Sequence, residues 1–243
     1  MDVTDGNTLI NCHAIEGQNV QNLWTQLPKD LFAHMGSGDV NGDDTDDLVI
    51  VYGSGQVDAL SGLDGTLIWS TNLGVSTSEV SLLIEPDQGP VWIVAPGSLW
   101  KLDPSDGSID NAGLFQNFEV LAQIDKEIHV AKGGRVGVLD PETLEISSTI
   151  AEFEPHQIVS MHALPDQQVL AIVHRNSDPG LPDFKISLLG LPDGDLLASA
   201  IWPASVTSTY GRYLHAVSLA GTRRFRINRS DFVFSDGFES GSR

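Results

Sequence analysis

Five oxygen-bearing side chains stand at alternate positions in one short acidic stretch of the chain, and this spacing suits a hard cation. The residues are Asp39, Asn41, Asp43, Thr45 and Asp47. Calcium takes six to eight oxygen ligands, and a chain that wraps around it presents every second residue inward. Magnesium prefers fewer protein ligands and keeps several waters. The stretch therefore predicts a calcium site, with an acidic surface turn that binds no metal as the alternative.

The residue types at two positions of this stretch differ from those in the twelve-residue calcium loop of EF-hands. Position 12 is Ile50, where an EF-hand needs a bidentate carboxylate. Position 6, normally glycine, is Asp44, and a left-handed backbone there costs a non-glycine residue about 1 kcal/mol, although Asp tolerates it better than most. We expect a shorter, nine-residue loop that ends at Asp47 and leaves Asp44 and Asp46 pointing to solvent.

The residues that follow the loop, 48–52, form an apolar run that we expect to be the strand that holds it in place. Similar short runs rich in branched residues recur at 80–84, 91–94, 128–131, 158–164 and 169–174. Almost no stretch sustains the 3.6-residue period of a helix. The chain is therefore predicted to be all-β.

A repeated unit organises these strands, namely an apolar strand, a short turn with Gly or an acid, and a second strand. The turns contain Gly65, Gly107 and Gly194, with Thr143 in the equivalent slot, and they recur roughly every 36–51 residues, close to the spacing of propeller blades. Asp-Gly pairs supply the positive φ that tight turns need. Since one repeat cannot bury its own faces, the repeats must stack.

The predicted fold is a β-propeller of four-stranded blades, with a β-sandwich or β-helix as the alternative. The ring has about five blades, or the chain is part of a larger ring. The repeat domain is placed at 8–228, closed by a composite blade that joins 205–228 to 8–26. Residues 229–243 are rich in Gly and Ser and are predicted to be a flexible tail.

Two segments carry family resemblances. The sequence VDALSGLDGTLIW at 57–69 resembles the repeats of pyrroloquinoline-quinone-like propellers. The sequence GDVNGDDTDDLVI at 38–50 is similar to the FG-GAP repeats, also found as VCBS-type repeats, of integrin-like propellers. The second resemblance implies that Asp39, Asn41 and Asp43 bind Ca²⁺ through their side chains. It also implies that Thr45 offers its backbone carbonyl and that Asp47 closes the loop.

The charge distribution narrows the choice of partners. The formal net charge is −20, and Lys29 is the one basic residue among the first 100. A polyanion repels nucleic acid and anionic membrane surfaces, so neither is expected as a partner. No apolar run approaches the ~20 residues of a membrane span. The acidic first half suits cation binding, and it equally suits a solvated surface that keeps the protein soluble.

The location is predicted to be extracellular or periplasmic, with a true start upstream of Met1. The first residues have neither a basic region nor an apolar region of an export signal, yet residue 8 already lies within a repeat. Cys12 is the single cysteine, which excludes an intramolecular disulfide.

No catalytic motif stands out in the sequence. It has no Gly-x-Ser-x-Gly elbow, no P-loop and no paired-His zinc signature. His162 and His174 flank a predicted hairpin turn, but the pairing does not place them opposite each other. The recurring Trp24, Trp69 and Trp100 are expected to pack between sheets rather than to stack on a ligand.

We therefore expect a non-catalytic, calcium-binding propeller that binds a protein or polysaccharide at an extracellular surface. A quinone-dependent dehydrogenase and an envelope-assembly scaffold subunit are the alternatives. Scarce basic residues and a single cysteine disfavour the dehydrogenase, because such enzymes need cationic contacts to the quinone carboxylates and a vicinal disulfide or stacking Trp.

Overall fold

The computed structural model describes residues 3–4, 7–8, 10–16, 19–76, 80–95, 97–153, 158–175, 184–202, 206–210, 213–218 and 221–226. Within these ranges there is no α-helix, and the chain runs mostly as antiparallel strands. A three-residue 3₁₀ turn, Pro165–Gln167, is the single helical segment of the described residues. The prediction of an all-β fold is confirmed. The predicted tail, 229–243, lies outside the described residues.

The chain divides into two compact units, 1–116 and 117–243. The strands of the first unit are β1 (Val3–Thr4), β2 (Asn7–Thr8), β3 (Ile10–Glu16), β4 (Asn19–Gln26), β5 (Phe32–Gly38), β6 (Asp47–Tyr52), β7 (Gln56–Leu60), β8 (Leu67–Asn72), β9 (Ser81–Ile84), β10 (Val91–Ala95), β11 (Gly97–Leu102) and the first half of β12 (Ile109–Ile124). They pair in chain order: β1 with β2, β3 with β4, β5 through β8, and β9 through β12.

Strand β6 of the four-stranded sheet β5–β8 lies between two packed faces, which is why residues 48–52 form an unbroken apolar run. One face adds five side chains to a cluster shared with β10 and β11: Val49, Val51, Val57, Ala59 and Trp69. The opposite face packs against the β3–β4 sheet through three more: Ile50, Tyr52 and Leu60. Sheets that bury both faces must stack face to face with their neighbours, as the repeat argument required.

The second unit repeats the same plan. Its strands are the second half of β12, β13 (Glu127–Lys132), β14 (Arg135–Leu139), β15 (Ile146–Glu152), β16 (Ile158–Leu164), β17 (Val169–Arg175), β18 (Phe184–Gly190), β19 (Asp195–Trp202), β20 (Val206–Tyr210), β21 (Tyr213–Ser218) and β22 (Gly221–Arg226). Strands β12–β15 are joined in order, β16–β19 form a four-stranded sheet, and β20–β22 form a three-stranded one. A buried cluster that includes Val136, Met161 and Ile172 links the first two of these sheets.

The turns between the third and fourth strands carry the repeat signal, with one correction. Gly65, Gly107 and Gly194 have φ of 75°, 72° and 74°, as predicted. In the remaining turn the left-handed residue is Leu144, at φ 57°, rather than Thr143. The Leu144 side chain is only 2% exposed, so its burial offsets the strain that a non-glycine residue meets there.

Trp24 and Trp69 lie on the last strands of their sheets, β4 and β8, and each contacts a turn of the sheet that follows. The Trp24 indole N–H donates to the Gly62 carbonyl at 3.0 Å, and that of Trp69 donates to the Pro104 carbonyl at 2.6 Å. Both rings are buried, as is Trp100. The prediction that these tryptophans pack between sheets is confirmed.

The predicted composite blade stays a prediction. Strands β3 and β4 pair with each other, and β20–β22 form their own sheet in the other unit.

Candidate metal-binding loop

The predicted ligand residues lie on the connection between β5 and β6. These two strands pair antiparallel with Gly38 opposite Asp47, so residues 39–46 leave the sheet as one loop. The strand that follows begins at Asp47 and matches the apolar run that was expected to hold the loop. Here "the acidic loop" means residues 39–47.

Asp47 is the buried anchor of the acidic loop, with 1% of the residue exposed. Its carboxylate accepts the Val40 N–H at 3.1 Å and the Gly62 N–H at 3.0 Å. Burial raises the pKa of Asp47; the hydrogen bonds from Gly62 and Val40 oppose that rise, and the nearby Asp43 carboxylate adds to it. Asp47 therefore ties the loop to the turn between β7 and β8, since Gly62 belongs to that turn.

Asp39 organises the first half of the acidic loop. One carboxylate oxygen accepts the N–H groups of Gly42 at 2.7 Å and Asp43 at 3.2 Å, and the other accepts that of Asp44 at 3.0 Å. Asp44 has φ of 62°, the left-handed conformation expected at this position. The hydrogen bond to Asp39 helps to offset its cost.

The remaining predicted ligands are linked by short hydrogen bonds. The Asn41 side-chain amide donates to Asp43 at 3.0 Å and, at 3.4 Å, to Asp47. In return the Asp43 N–H donates to the Asn41 side-chain oxygen at 2.9 Å, and the Thr45 N–H donates to the Asp43 carboxylate at 2.9 Å. Asp44 and Asp46 are exposed, as predicted. The fold thus gathers the side chains of Asn41, Asp43 and Asp47.

The donor set of the acidic loop fits a calcium ion in its chemistry, because its side-chain donors are hard oxygen atoms on a framework fixed by Asp47. In the part of the chain that the structure describes, however, no three His, Cys, Asp or Glu side chains are close enough together to hold a metal ion. The loop carboxylates are instead occupied by N–H groups. Calcium binding is therefore still a prediction.

Two close neighbours of the acidic loop have no signal in the sequence. Gly62 supplies an N–H to Asp47 from 15 residues away. Gln88, in the turn between β9 and β10, reaches Gly42, where the position of an added Cβ atom would lie 2.7 Å from the Gln88 amide nitrogen. Both contacts depend on how the strands and sheets pack together.

An ion pair between a half-exposed lysine and a buried aspartate in the same unit was not predicted from the sequence. The Lys29 ammonium lies 2.7 Å from a carboxylate oxygen of Asp58, which is fully buried. Ser70 donates its hydroxyl to the other oxygen at 2.5 Å. Burial, together with the Asp58 charge, raises the pKa of nearby Tyr52 to about 12. The one cation of the first 100 residues thus neutralises an interior carboxylate.

The histidines of β16 and β17 are arranged as predicted. His162 pairs with Ala171, and His174 pairs with Ile158, so the two are not opposite each other. The His174 ring lies 3.0 Å from the Ser187 hydroxyl. Burial lowers the pKa of His162 to about 4.

Comparison with solved structures identifies the fold. Sqt1 of Saccharomyces cerevisiae matches with a TM-score of 0.64 at 13% identity, over 91% of this chain and 66% of that one. BBS1N, solved in complex with ARL6DN, matches with a TM-score of 0.60 at 16% identity, over 88% of this chain and 71% of that one. Both are β-propellers. This chain is a β-propeller.

The designed protein Ika8 matches the propeller with a TM-score of 0.56 at 14% identity, over 74% of this chain and 55% of that one. At these identities the likeness concerns the fold alone. The propeller chain spans just under two thirds of the Sqt1 chain.

No known family profile matches the propeller sequence, and neither does any curated protein. Its described residues include no helix long and apolar enough to cross a membrane.

Proposed function

We propose that this propeller is a non-catalytic, calcium-binding protein that binds a protein or polysaccharide at an extracellular or cell-surface location. The observation that carries the proposal is the buried Asp47 carboxylate, fixed at the start of β6 next to the side chains of Asn41 and Asp43. A buried carboxylate flanked by further acids favours a cationic ligand, because its charge is poorly solvated.

Charge balance supports a metal ion as that cation. The acidic loop carries five acids in nine residues and no basic residue. Three ion pairs of the described residues, Lys29–Asp58, Lys132–Glu145 and Arg135–Glu152, lie elsewhere. Calcium would add positive charge at the loop. Asp39, Asn41, Asp43 and Asp47 would hold it through side chains, and Thr45 through its carbonyl.

A binding role for the propeller rests on its net charge and on a comparison. A net charge of −20 repels acidic partners and attracts basic ones over a long range. The related fold of BBS1N was solved in complex with another protein, ARL6DN. Both facts fit a protein partner with a basic surface.

Thermal melting tests the calcium proposal. We expect millimolar Ca²⁺ to raise the Tm relative to chelator, because a ligand bound by the folded state alone stabilises it by mass action. Asp43→Ala should abolish this shift. Asp46→Ala is the matched control, since Asp46 is an exposed acid of the same loop outside the proposed ligand set. A wild-type Tm that is the same in Ca²⁺ and in chelator would remove the site.

The alternative of a quinone-dependent dehydrogenase has its own readout. Protein purified from its native host would then carry a quinone absorption band. An envelope-assembly scaffold would instead co-purify with stoichiometric partner subunits.

A further inference from the structure

The acidic loop contains a dipeptide whose chemistry is independent of any metal. Asn41-Gly42 is the one Asn-Gly pair in the full sequence. Both residues are exposed to solvent. Asn is among the chemically labile residues of proteins. A following glycine removes the Cβ that would hinder its backbone nitrogen from approaching the Asn side chain.

We propose that Asn41 is a deamidation site that the folded loop holds back through Asp39. In the reaction, the Gly42 amide nitrogen gives its proton to solvent base and attacks the side-chain carbonyl carbon of Asn41. The new C–N bond closes a succinimide, and the side-chain nitrogen leaves as ammonia. Water then opens the ring at either carbonyl, which yields Asp or isoaspartate at position 41.

The folded loop engages both reacting groups. The Gly42 N–H donates to Asp39 at 2.7 Å, the shortest hydrogen bond that Asp39 makes in the loop. A nitrogen held in this way keeps its proton, and it must break this hydrogen bond before it can attack the Asn41 side chain. That side chain is itself fixed, because its oxygen accepts from Asp43 and its amide donates to Asp43. Reaction therefore requires the loop to open locally.

The product would change the electrostatics of the loop. The Asn41 amide now donates toward carboxylates of Asp43 and Asp47, at 3.0 and 3.4 Å. Deamidation replaces that donor with a carboxylate, so that three negative charges, at residues 41, 43 and 47, lie close together. Like charges at this distance repel. Isoaspartate also lengthens the main chain by one carbon, which displaces the Gly42 N–H from Asp39. Reacted molecules should have a more open loop.

Peptide mapping by mass spectrometry tests the site and its protection. Protein is incubated at mildly alkaline pH with chelator present, folded or in guanidinium, and the gain of about 1 Da at Asn41 is followed over days. We expect the reaction to be about tenfold or more faster in the unfolded chain, equivalent to about 1.4 kcal/mol of loop opening. Asn41→Gln should show no gain on this timescale. Equal rates in folded and unfolded protein, or no gain in either, would overturn the proposal.

Variants of the folded protein test the role of Asp39. Asp39→Ala should accelerate the reaction several-fold, whereas Asp39→Asn, which keeps an oxygen acceptor, should stay nearer the wild-type rate. Asp46→Ala is the matched control and should react like the wild type. Tryptophan fluorescence verifies that each variant is folded during incubation. If Asp39→Ala is folded and reacts at the wild-type rate, Asp39 does not protect the site. If it is unfolded, Asp39→Asn decides: a wild-type rate supports the proposal, and the unfolded-chain rate contradicts it.

Discussion

The indole ring of Trp69 occupies the place where a side chain at residue 107 would begin. The position of a Cβ atom on Gly107 would lie 2.5 Å from the nearest ring carbon, and Gly107 has φ of 72°. Trp24 stands in the same relation to Gly65, at 2.8 Å. The glycine of each turn is therefore required twice, for its backbone conformation and for the ring of the preceding sheet.

Substitution at Gly107 separates these two requirements. Gly74 has almost the same φ, 74°, but no atom of the described residues lies within 4 Å of its Cβ position. We expect Gly74→Ala to cost about 1 kcal/mol of unfolding free energy from backbone strain alone. Gly107→Ala should cost about 1–3 kcal/mol more, because the ring must move. Urea denaturation measures both, and equal losses would show that the ring contact is not tight.

Removal of the Asp47 carboxylate should destabilise the protein whether or not calcium binds. Asp47→Ala leaves the Val40 and Gly62 N–H groups without their acceptor. An unpaired buried donor costs about 1–3 kcal/mol, so for two donors we expect a total loss of about 2–6 kcal/mol by denaturation in chelator. Asp46→Ala, at an exposed site, should change the stability by less than about 0.5 kcal/mol. A small effect at Asp47 would mean that water replaces the carboxylate readily.

The Lys29 ammonium should stabilise the protein by compensating the buried Asp58 carboxylate. Lys29→Met leaves Asp58 without its counter-ion, and we expect a loss of about 2–3 kcal/mol, below the 3–5 kcal/mol of fully buried pairs because Lys29 is half exposed.

A double variant is the control for that loss. Asp58→Asn in the Lys29→Met background removes the uncompensated charge and keeps an oxygen for Ser70, so it should restore at least half of the stability. If the double variant is no more stable than Lys29→Met, the loss comes from packing of the lysine stem.

The pKa of His162 predicts a loss of stability in acid. Burial lowers this pKa from 6.5 to about 4, so the unfolded chain takes up the proton first as the pH falls. The contribution is absent above pH 6.5, grows between pH 6.5 and about 4, and is complete below that range. The Tm measured across this range should fall less steeply for His162→Gln than for the wild type. Parallel curves would assign the acid sensitivity to other groups.

Several features could be predicted from the sequence because they are encoded within a few neighbouring residues. The runs of branched residues predicted the strands. The Asp-Gly pairs predicted three turns, in which Gly65, Gly107 and Gly194 have positive φ. The alternate oxygen side chains gave the acidic loop and its exposed acids, Asp44 and Asp46. The fourth turn was misplaced by one residue, since Leu144 is stabilised there by burial and not by its type.

The tertiary structure decided which residues meet. Nothing near Asp47 in the sequence points to Gly62, nothing near Lys29 points to Asp58, and the ring that covers Gly107 comes from an earlier repeat. These contacts depend on strand pairing and on which sheet faces stack, and both are set by the burial of apolar surface from segments far apart in the chain. Local spacing predicts the loop and its strand, whereas burial supplies the contacts that hold the loop in place.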